Sequence, residues 1–180
     1  GFSKEEYLEK AEKSSLIITS KKMITTFYFG ALFLISIIYS VLAPLFYKKV
    51  VLSYPNTDQA KEALVALKEL YVYLGRPNDY VNFVQNQAGI NLSNTEQDAL
   101  IFESAESQYM SGDCSKAIPS LNEYIKLFPT GNSILDAHFF RADCLFKGKD
   151  YSNSLTDYKK VISFGASKHQ ENALLKATYI

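Results

Sequence analysis

The stretch that determines the fold is EQDALIFESAESQYMSGDCSKAIPSLNEYIKLFP, which runs from residue 96 to residue 129. Apolar residues recur in it at helical spacing on both sides of Gly112-Asp113, a dipeptide typical of a turn. Pro129 ends the second helical pattern, because a proline cannot continue a helix. The stretch therefore predicts a hairpin of two amphipathic helices.

A similar pattern follows directly in LDAHFFRADCLFKGKDYSNSLTDYKKVISF, residues 135–164. Its turn residue Asp150 lies thirty-seven positions after Asp113. A helical hairpin that recurs at such an interval is the sequence signature of a repeat protein. Each hairpin has an apolar face that it can bury only against a neighbour. The sequence therefore predicts an all-α fold, an α-solenoid of stacked antiparallel helical hairpins.

These hairpins resemble the tetratricopeptide repeat (TPR). Its first helix carries a small residue near its end, a Gly-Asp-Tyr turn follows, and the second helix carries an Ala, an aromatic residue and a closing Pro. Residues 98–131 match this pattern at Ala105, Gly112-Asp113-Cys114, Ala117, Leu121 and Pro129. Residues 135–167 match it at Ala142, Lys149-Asp150-Tyr151, Ser154 and Tyr158, with Ala166 in place of the Pro.

The resemblance implies a TPR-like superhelix over residues 23–180. A flanking helix is predicted in residues 1–22, where Ser3 and Glu6 have the spacing of a capping box. Besides the two clear repeats, looser copies are expected at about 24–57 and 61–93. A partial repeat is expected from residue 170.

The apolar run 23–47, MITTFYFGALFLISIIYSVLAPLFY, allows two structures. It contains no charge and is flanked by Lys21-Lys22 and Lys48-Lys49, as a transmembrane helix would be. The second possibility is a buried hairpin broken near Tyr39-Ser40, whose second half aligns with the second helix of the clear repeat. The aligned positions are Ala43, Tyr47, Val50 and Pro55. We favour the hairpin and keep the transmembrane helix as the alternative.

Charge and motif content indicate a non-catalytic protein. Lys and Arg together number 19, as do Asp and Glu, so the chain lacks the excess of positive charge that marks a nucleic-acid partner. The sequence has no phosphate-binding loop, metal-ligand spacing or nucleophile elbow, so we expect no cofactor and no metal. His138 is expected to be a hydrogen-bonded, partly buried histidine. Cys114 and Cys144 are expected to be buried free thiols, and a disulfide or a redox role is the alternative.

The resemblance to the TPR family also implies a concave face, lined by the first helices, that binds a partner protein or peptide. The residues expected on that face are Glu69, Tyr73, Phe102, Glu106, Tyr109, Phe139, Asp143, Phe146 and Lys147. Glu69, Glu106 and Asp143 occupy equivalent positions and would form an acidic ladder beside aromatic side chains. Such a surface favours an extended segment carrying Lys or Arg. Alternatively, the aromatic residues pack between helices and the carboxylates lie on a solvated face.

The run FPTGNSILDAHFFRADCLFKGKDY, residues 128–151, resembles repeats of bacterial envelope TPR proteins. These are of the type of the periplasmic coordinator of the Tol–Pal system and of the lipoprotein that serves outer-membrane β-barrel assembly. That resemblance implies a role in cell-envelope assembly on the periplasmic side. A self-associating structural scaffold is the alternative function.

Overall fold

The computed structural model of the protein describes residues 35–180. The chain divides into two compact units, residues 1–46 and residues 47–180. Among the described residues all regular structure is helical. A π-helical segment, Ile38–Leu42, leads into eight α-helices. They are α1 (Ala43–Ser53), α2 (Asp58–Tyr73), α3 (Pro77–Asn86), α4 (Asn94–Met110), α5 (Cys114–Leu127), α6 (Ile134–Lys147), α7 (Tyr151–Ser163) and α8 (Gln170–Thr178).

The predicted Gly-Asp turn joins α4 to α5. Gly112 has φ 79°, a left-handed conformation that glycine adopts without steric cost, and it ends α4. The Asp113 carboxylate then accepts a hydrogen bond from the Lys116 backbone N–H and caps α5. Lys149 and Asp150 take the same two roles between α6 and α7, with Lys149 at φ 64°. The hairpin prediction is confirmed for both stretches.

Small and aromatic side chains make the core that joins successive hairpins. Ala105, Ala117 and Tyr124 are completely buried and belong to one cluster with Phe140 of the next hairpin. Ala142 and Tyr158 form the corresponding cluster with Ala173 of α8. Small residues allow the helix backbones to approach, and the aromatic rings fill the space between hairpins. This stacking confirms the predicted α-solenoid.

A buried polar contact ties the start of α4 to the loop that follows α5. The carboxylate of Asp98 accepts hydrogen bonds from the Tyr124 hydroxyl and from the backbone N–H of Asn132, the latter at 2.8 Å. The Ser133 backbone N–H donates to the Tyr124 oxygen at 3.1 Å. A Cβ atom at Gly131 would lie 2.6 Å from that oxygen, so the loop needs a glycine there. These bonds satisfy polar groups that burial would otherwise leave unpaired.

Cys114 and Cys144 form a disulfide, so the prediction of free thiols is wrong. Their Cα atoms lie 5.3 Å apart, a separation typical of disulfides. Cys114 is the first residue of α5, and Cys144 lies on the buried side of α6. The stacking of successive hairpins brings these two positions together. Their separation of thirty residues in the sequence gave no sign of it.

The helix that contains the π-helical segment runs without a break from Ile35 to Ser53. The predicted break at Tyr39-Ser40 is therefore wrong. Pro44 has no N–H to donate to the Ser40 carbonyl, and a π-helical turn accommodates that loss without ending the helix. Only 12% of the helix's most apolar window is buried, so the described part of 23–47 is not a buried hairpin. Residues 23–34 of that prediction, and the flanking helix predicted in 1–22, lie outside the described residues.

Candidate functional site

The first helices of the hairpins, α2, α4 and α6, present equivalent positions every thirty-seven residues. Residues 75, 112 and 149, each just after one of these helices, share a left-handed backbone with φ of 68°, 79° and 64°. Neighbouring first helices also bond to each other: the Ser104 hydroxyl donates to the Val72 carbonyl and the Gln108 amide to the Tyr73 carbonyl, both at 3.1 Å. The equivalent predicted residues therefore lie on adjacent helices.

On α2 the predicted residues Glu69 and Tyr73 are exposed. They follow Val65 at intervals of four residues, so the three side chains share one face of the helix. Leu67 and Tyr71 lie on the buried side. Tyr73 is 75% exposed, although a tyrosine normally buries much of its ring. This face of α2 has an aromatic ring and a carboxylate available to solvent.

On α4 the predicted residues separate into core and surface. Phe102 is buried, with its ring centroid 5.2 Å from that of Tyr124, so it packs inside the array and is not available to a partner. Glu106 is half-buried at the surface, and Met110 is 64% exposed at the position equivalent to Tyr73. We define the α2–α4 row as the surface residues Val65, Glu69, Tyr73, Glu106 and Met110.

Tyr109, Asp143 and Lys147 form a closed network between α4 and α6. The Tyr109 hydroxyl donates to the Asp143 carboxylate at 3.0 Å, and the Lys147 ammonium lies 2.7 Å from the same oxygen. Burial, together with the hydrogen bond and charge of Asp143, raises the pKa of Tyr109 to about 12. The Tyr109 ring also stacks on Phe140 with centroids 4.3 Å apart. Asp143 is therefore neutralised from within the chain.

The remaining aromatic residues of the predicted face pack between helices. Phe139 stacks on the His169 ring, with centroids 3.9 Å apart and planes 6° from parallel. Phe146 meets the Tyr151 ring edge-on, and the Lys176 ammonium lies 4.3 Å from its centroid. On α6 the geometry thus agrees with the alternative that the aromatic residues are packing residues.

Of the three equivalent carboxylates, Asp143 is paired within the described residues, and Glu69 and Glu106 are not. Glu69 and Glu106 make no ion pair and no hydrogen bond with the residues in 35–180, whereas Asp143 is paired with Lys147. An ion pair crosses between α2 and α4: Lys68 lies 3.1 Å from Glu103, and both side chains are about half exposed. Such an exposed pair contributes little to stability. The α2–α4 row keeps net negative charge beside apolar side chains.

A second polar cluster joins α5, α6 and α7, and sequence reasoning missed it. The carboxylate of Asp157 is buried and accepts two hydrogen bonds from the Arg141 guanidinium, at 2.6 Å and 2.7 Å. His138 Nδ1 lies 2.8 Å from it, and Arg141 also donates to the Asn122 side chain. The expected hydrogen bond of His138 is confirmed, but the side chain is buried and not partly buried as predicted.

The electrostatics of the cluster centre on Asp157. Burial raises the pKa of this carboxyl, but the hydrogen bonds and charges of His138 and Arg141 outweigh burial and hold it below its usual value. With every oxygen bonded inside the chain, the cluster is structural. Across 35–180, moreover, no three His, Cys, Asp or Glu side chains lie close enough to hold a metal ion.

Comparison with known protein families gives a match for the hairpin α4–α5. Residues 98–131 match the family model of the tetratricopeptide repeat. No curated protein and no solved structure matches the chain. The matched residues extend from Asp98 near the start of α4 to Gly131 in the loop after α5. The match supports the conclusion that the chain is a tetratricopeptide repeat protein. Repeats of this family generally mediate protein–protein interaction and are typically not catalytic.

Proposed function

We propose that the protein binds a partner protein by docking a segment of it on the α2–α4 row. One observation carries this proposal: Tyr73 and Met110 are largely exposed beside Glu69 and Glu106, whose carboxylates have no bonding partner in the described residues. At the equivalent positions of α6, Asp143 and Lys147 satisfy each other. The proposed site is therefore the α2–α4 part of the predicted face.

The chemistry of the row favours an extended, positively charged segment. Tyr73 offers a large amphipathic ring, and tyrosine is one of the residue types enriched among the residues that anchor interfaces. Met110 is flexible and polarisable, so its side chain can adapt to different apolar groups. Lys or Arg side chains of the partner would meet Glu69 and Glu106, which sets the register and excludes acidic segments.

We further propose that the protein works on the periplasmic side of the bacterial cell envelope, in an assembly role. The Cys114–Cys144 disulfide supports this location, since disulfides persist in oxidising compartments and are rare in the cytosol. The similarity of residues 128–151 to envelope repeats points the same way.

Self-association is the second candidate function. On α8 the apolar side chains of Leu174 and Leu175 are about half exposed, and Tyr179 follows them with most of its ring in solvent. Apolar residues gathered in this way often mark a contact with another protein. Light scattering over a concentration series tests this candidate. A constant monomer mass up to high concentration would exclude it.

Charge-reversal variants test the docking row. Fluorescence anisotropy would measure binding of labelled extended peptides that contain Lys, Arg and Leu, with Asp and Glu versions as counterparts. We expect the basic peptides alone to bind, with an affinity that falls as salt rises. Glu69→Lys with Glu106→Lys should weaken binding at least tenfold, and Tyr73→Ala should cost roughly tenfold by itself, about 1.4 kcal/mol.

The matched control is Glu123→Lys with Glu171→Lys, which changes the net charge equally at exposed positions outside the row. The proposal requires that this control bind like the wild type. Equal loss in both double variants would show a general charge effect and reject the row as the site. Equal binding of acidic peptides would reject the proposed partner chemistry.

A further inference from the structure

The helix Ile35–Ser53 is long and apolar enough to cross a membrane. Its mean hydropathy is 1.6 over an 18-residue window, of which 12% is buried. Six large apolar side chains between residues 35 and 46 are exposed, and no charged residue lies among them. They are Ile35, Ile37, Val41, Leu42, Leu45 and Phe46. Clusters of this kind mark a contact with another protein or with lipid.

The two ends of this helix differ in burial and in charge. In residues 47–53, Val51 is buried in the core of the second compact unit, and Tyr47 and Val50 pack against the same core. Lys48 and Lys49 are the first charged residues of the helix, and they follow the uncharged run that begins at Met23. Basic residues at the end of an apolar run of about twenty residues or more are typical of a span that ends at the membrane surface.

Two independent features indicate on which side of the membrane the repeats lie. The Cys114–Cys144 disulfide belongs to the residues after the run and requires an oxidising compartment. Lysines favour the cytoplasmic side of a span. Five lysines lie in the twenty residues before Met23, against three in the twenty after Tyr47, with no arginine in either window. Both features favour a location of the repeats outside the cytoplasm.

We propose that the apolar run 23–47, of which the structure describes residues 35–47, crosses a lipid bilayer with the Lys21-Lys22 end in the cytoplasm and the repeats in the oxidising compartment. The occupant of the exposed apolar surface is the hydrocarbon of the bilayer. This proposal is independent of the docking row, since it concerns where the repeats are held and not what they bind.

A matched pair of substitutions tests the span in the full chain, expressed in a bacterial host. Ile35 and Leu52 are both 49% exposed on the same helix, but they lie on opposite sides of Lys48-Lys49. We expect the wild-type protein to stay in membranes after alkaline carbonate extraction. Ile35→Arg should reduce the equilibrium constant for membrane insertion on the order of 100-fold. Leu52→Arg should leave that constant unchanged.

Protease treatment of intact spheroplasts tests the sidedness. We expect the repeats to be digested from outside, and we expect the cysteines to react with maleimide only after reduction. Repeats protected until the spheroplasts are lysed would overturn the orientation. A monodisperse protein purified without detergent would overturn the span, as would equal effects of the two arginine variants. A mature chain shown by mass spectrometry to lack the apolar run would also overturn it.

Discussion

Reduction of the Cys114–Cys144 disulfide should destabilise the repeat array. The bond closes a loop of about thirty residues between α5 and α6, the facing helices of consecutive hairpins. Reduction of the bond leaves the native packing in place, but it raises the conformational entropy of the unfolded chain and so favours unfolding. The bond is reduced by treating the folded protein with a phosphine.

The expected magnitude follows from the loop length. For a loop of about thirty residues, chain entropy gives about 12 cal/mol/K, which is about 3.7 kcal/mol at 25 °C. Unfolding of the second unit, Tyr47–Ile180, carries an entropy of about 280 cal/mol/K at about 2.1 cal/mol/K per residue. The melting temperature should therefore fall by roughly 13 °C.

The assay is urea unfolding followed by circular dichroism, with and without the reductant, together with thermal melts. The control is Cys114→Ser with Cys144→Ala, whose stability should not respond to the reductant. Free energies of unfolding of the oxidised and reduced wild type that agree within about 0.5 kcal/mol would refute the loop-entropy reasoning. Full reaction of both cysteines with maleimide in unreduced, unfolded protein would show that the bond does not form.

Three further predictions concern single residues, each measured by urea unfolding. Lys149→Gly should stabilise the protein by about 1 kcal/mol, since φ 64° strains a lysine and the equivalent Gly112 has no such strain; an unchanged midpoint would contradict this. Gly131→Ala should destabilise it by about 2 kcal/mol, because the added Cβ would lie 2.8 Å from the Phe128 Cβ atom as well as against Tyr124; a neutral effect would show that the loop can move. Asp157 has a lowered pKa in the folded state, so its stabilisation is complete above its unfolded pKa of about 3.9 and is lost as the pH falls through the folded value. Asp157→Asn should therefore destabilise the protein at pH 7. Its free energy of unfolding should also fall less than that of the wild type as the pH becomes acidic, and an equal fall in both proteins would contradict this.

The polar contacts of the array were largely beyond sequence-based prediction. Asp157 lies sixteen residues from Arg141 across a turn, and nothing in its local sequence separates it from an exposed aspartate. Phe102 was predicted on a binding face because it shares the helix register with Phe139. Packing against Tyr124 buries it, since the rotation of α4 in the stack decides which side of the helix meets α5.

The sequence by itself determined the hairpin and its repetition. Helical periodicity, the turn at Gly112-Asp113 and the thirty-seven-residue interval act over short distances along the chain, so they can be predicted without knowledge of contacts. Only the tertiary structure decided which side chains remain available. Stacking joined Cys114 to Cys144 and brought the Tyr109 hydroxyl to the Asp143 carboxylate, because both contacts link residues thirty or more positions apart on different helices. The Asp143–Lys147 pair, by contrast, is a local contact between residues four apart on one helix.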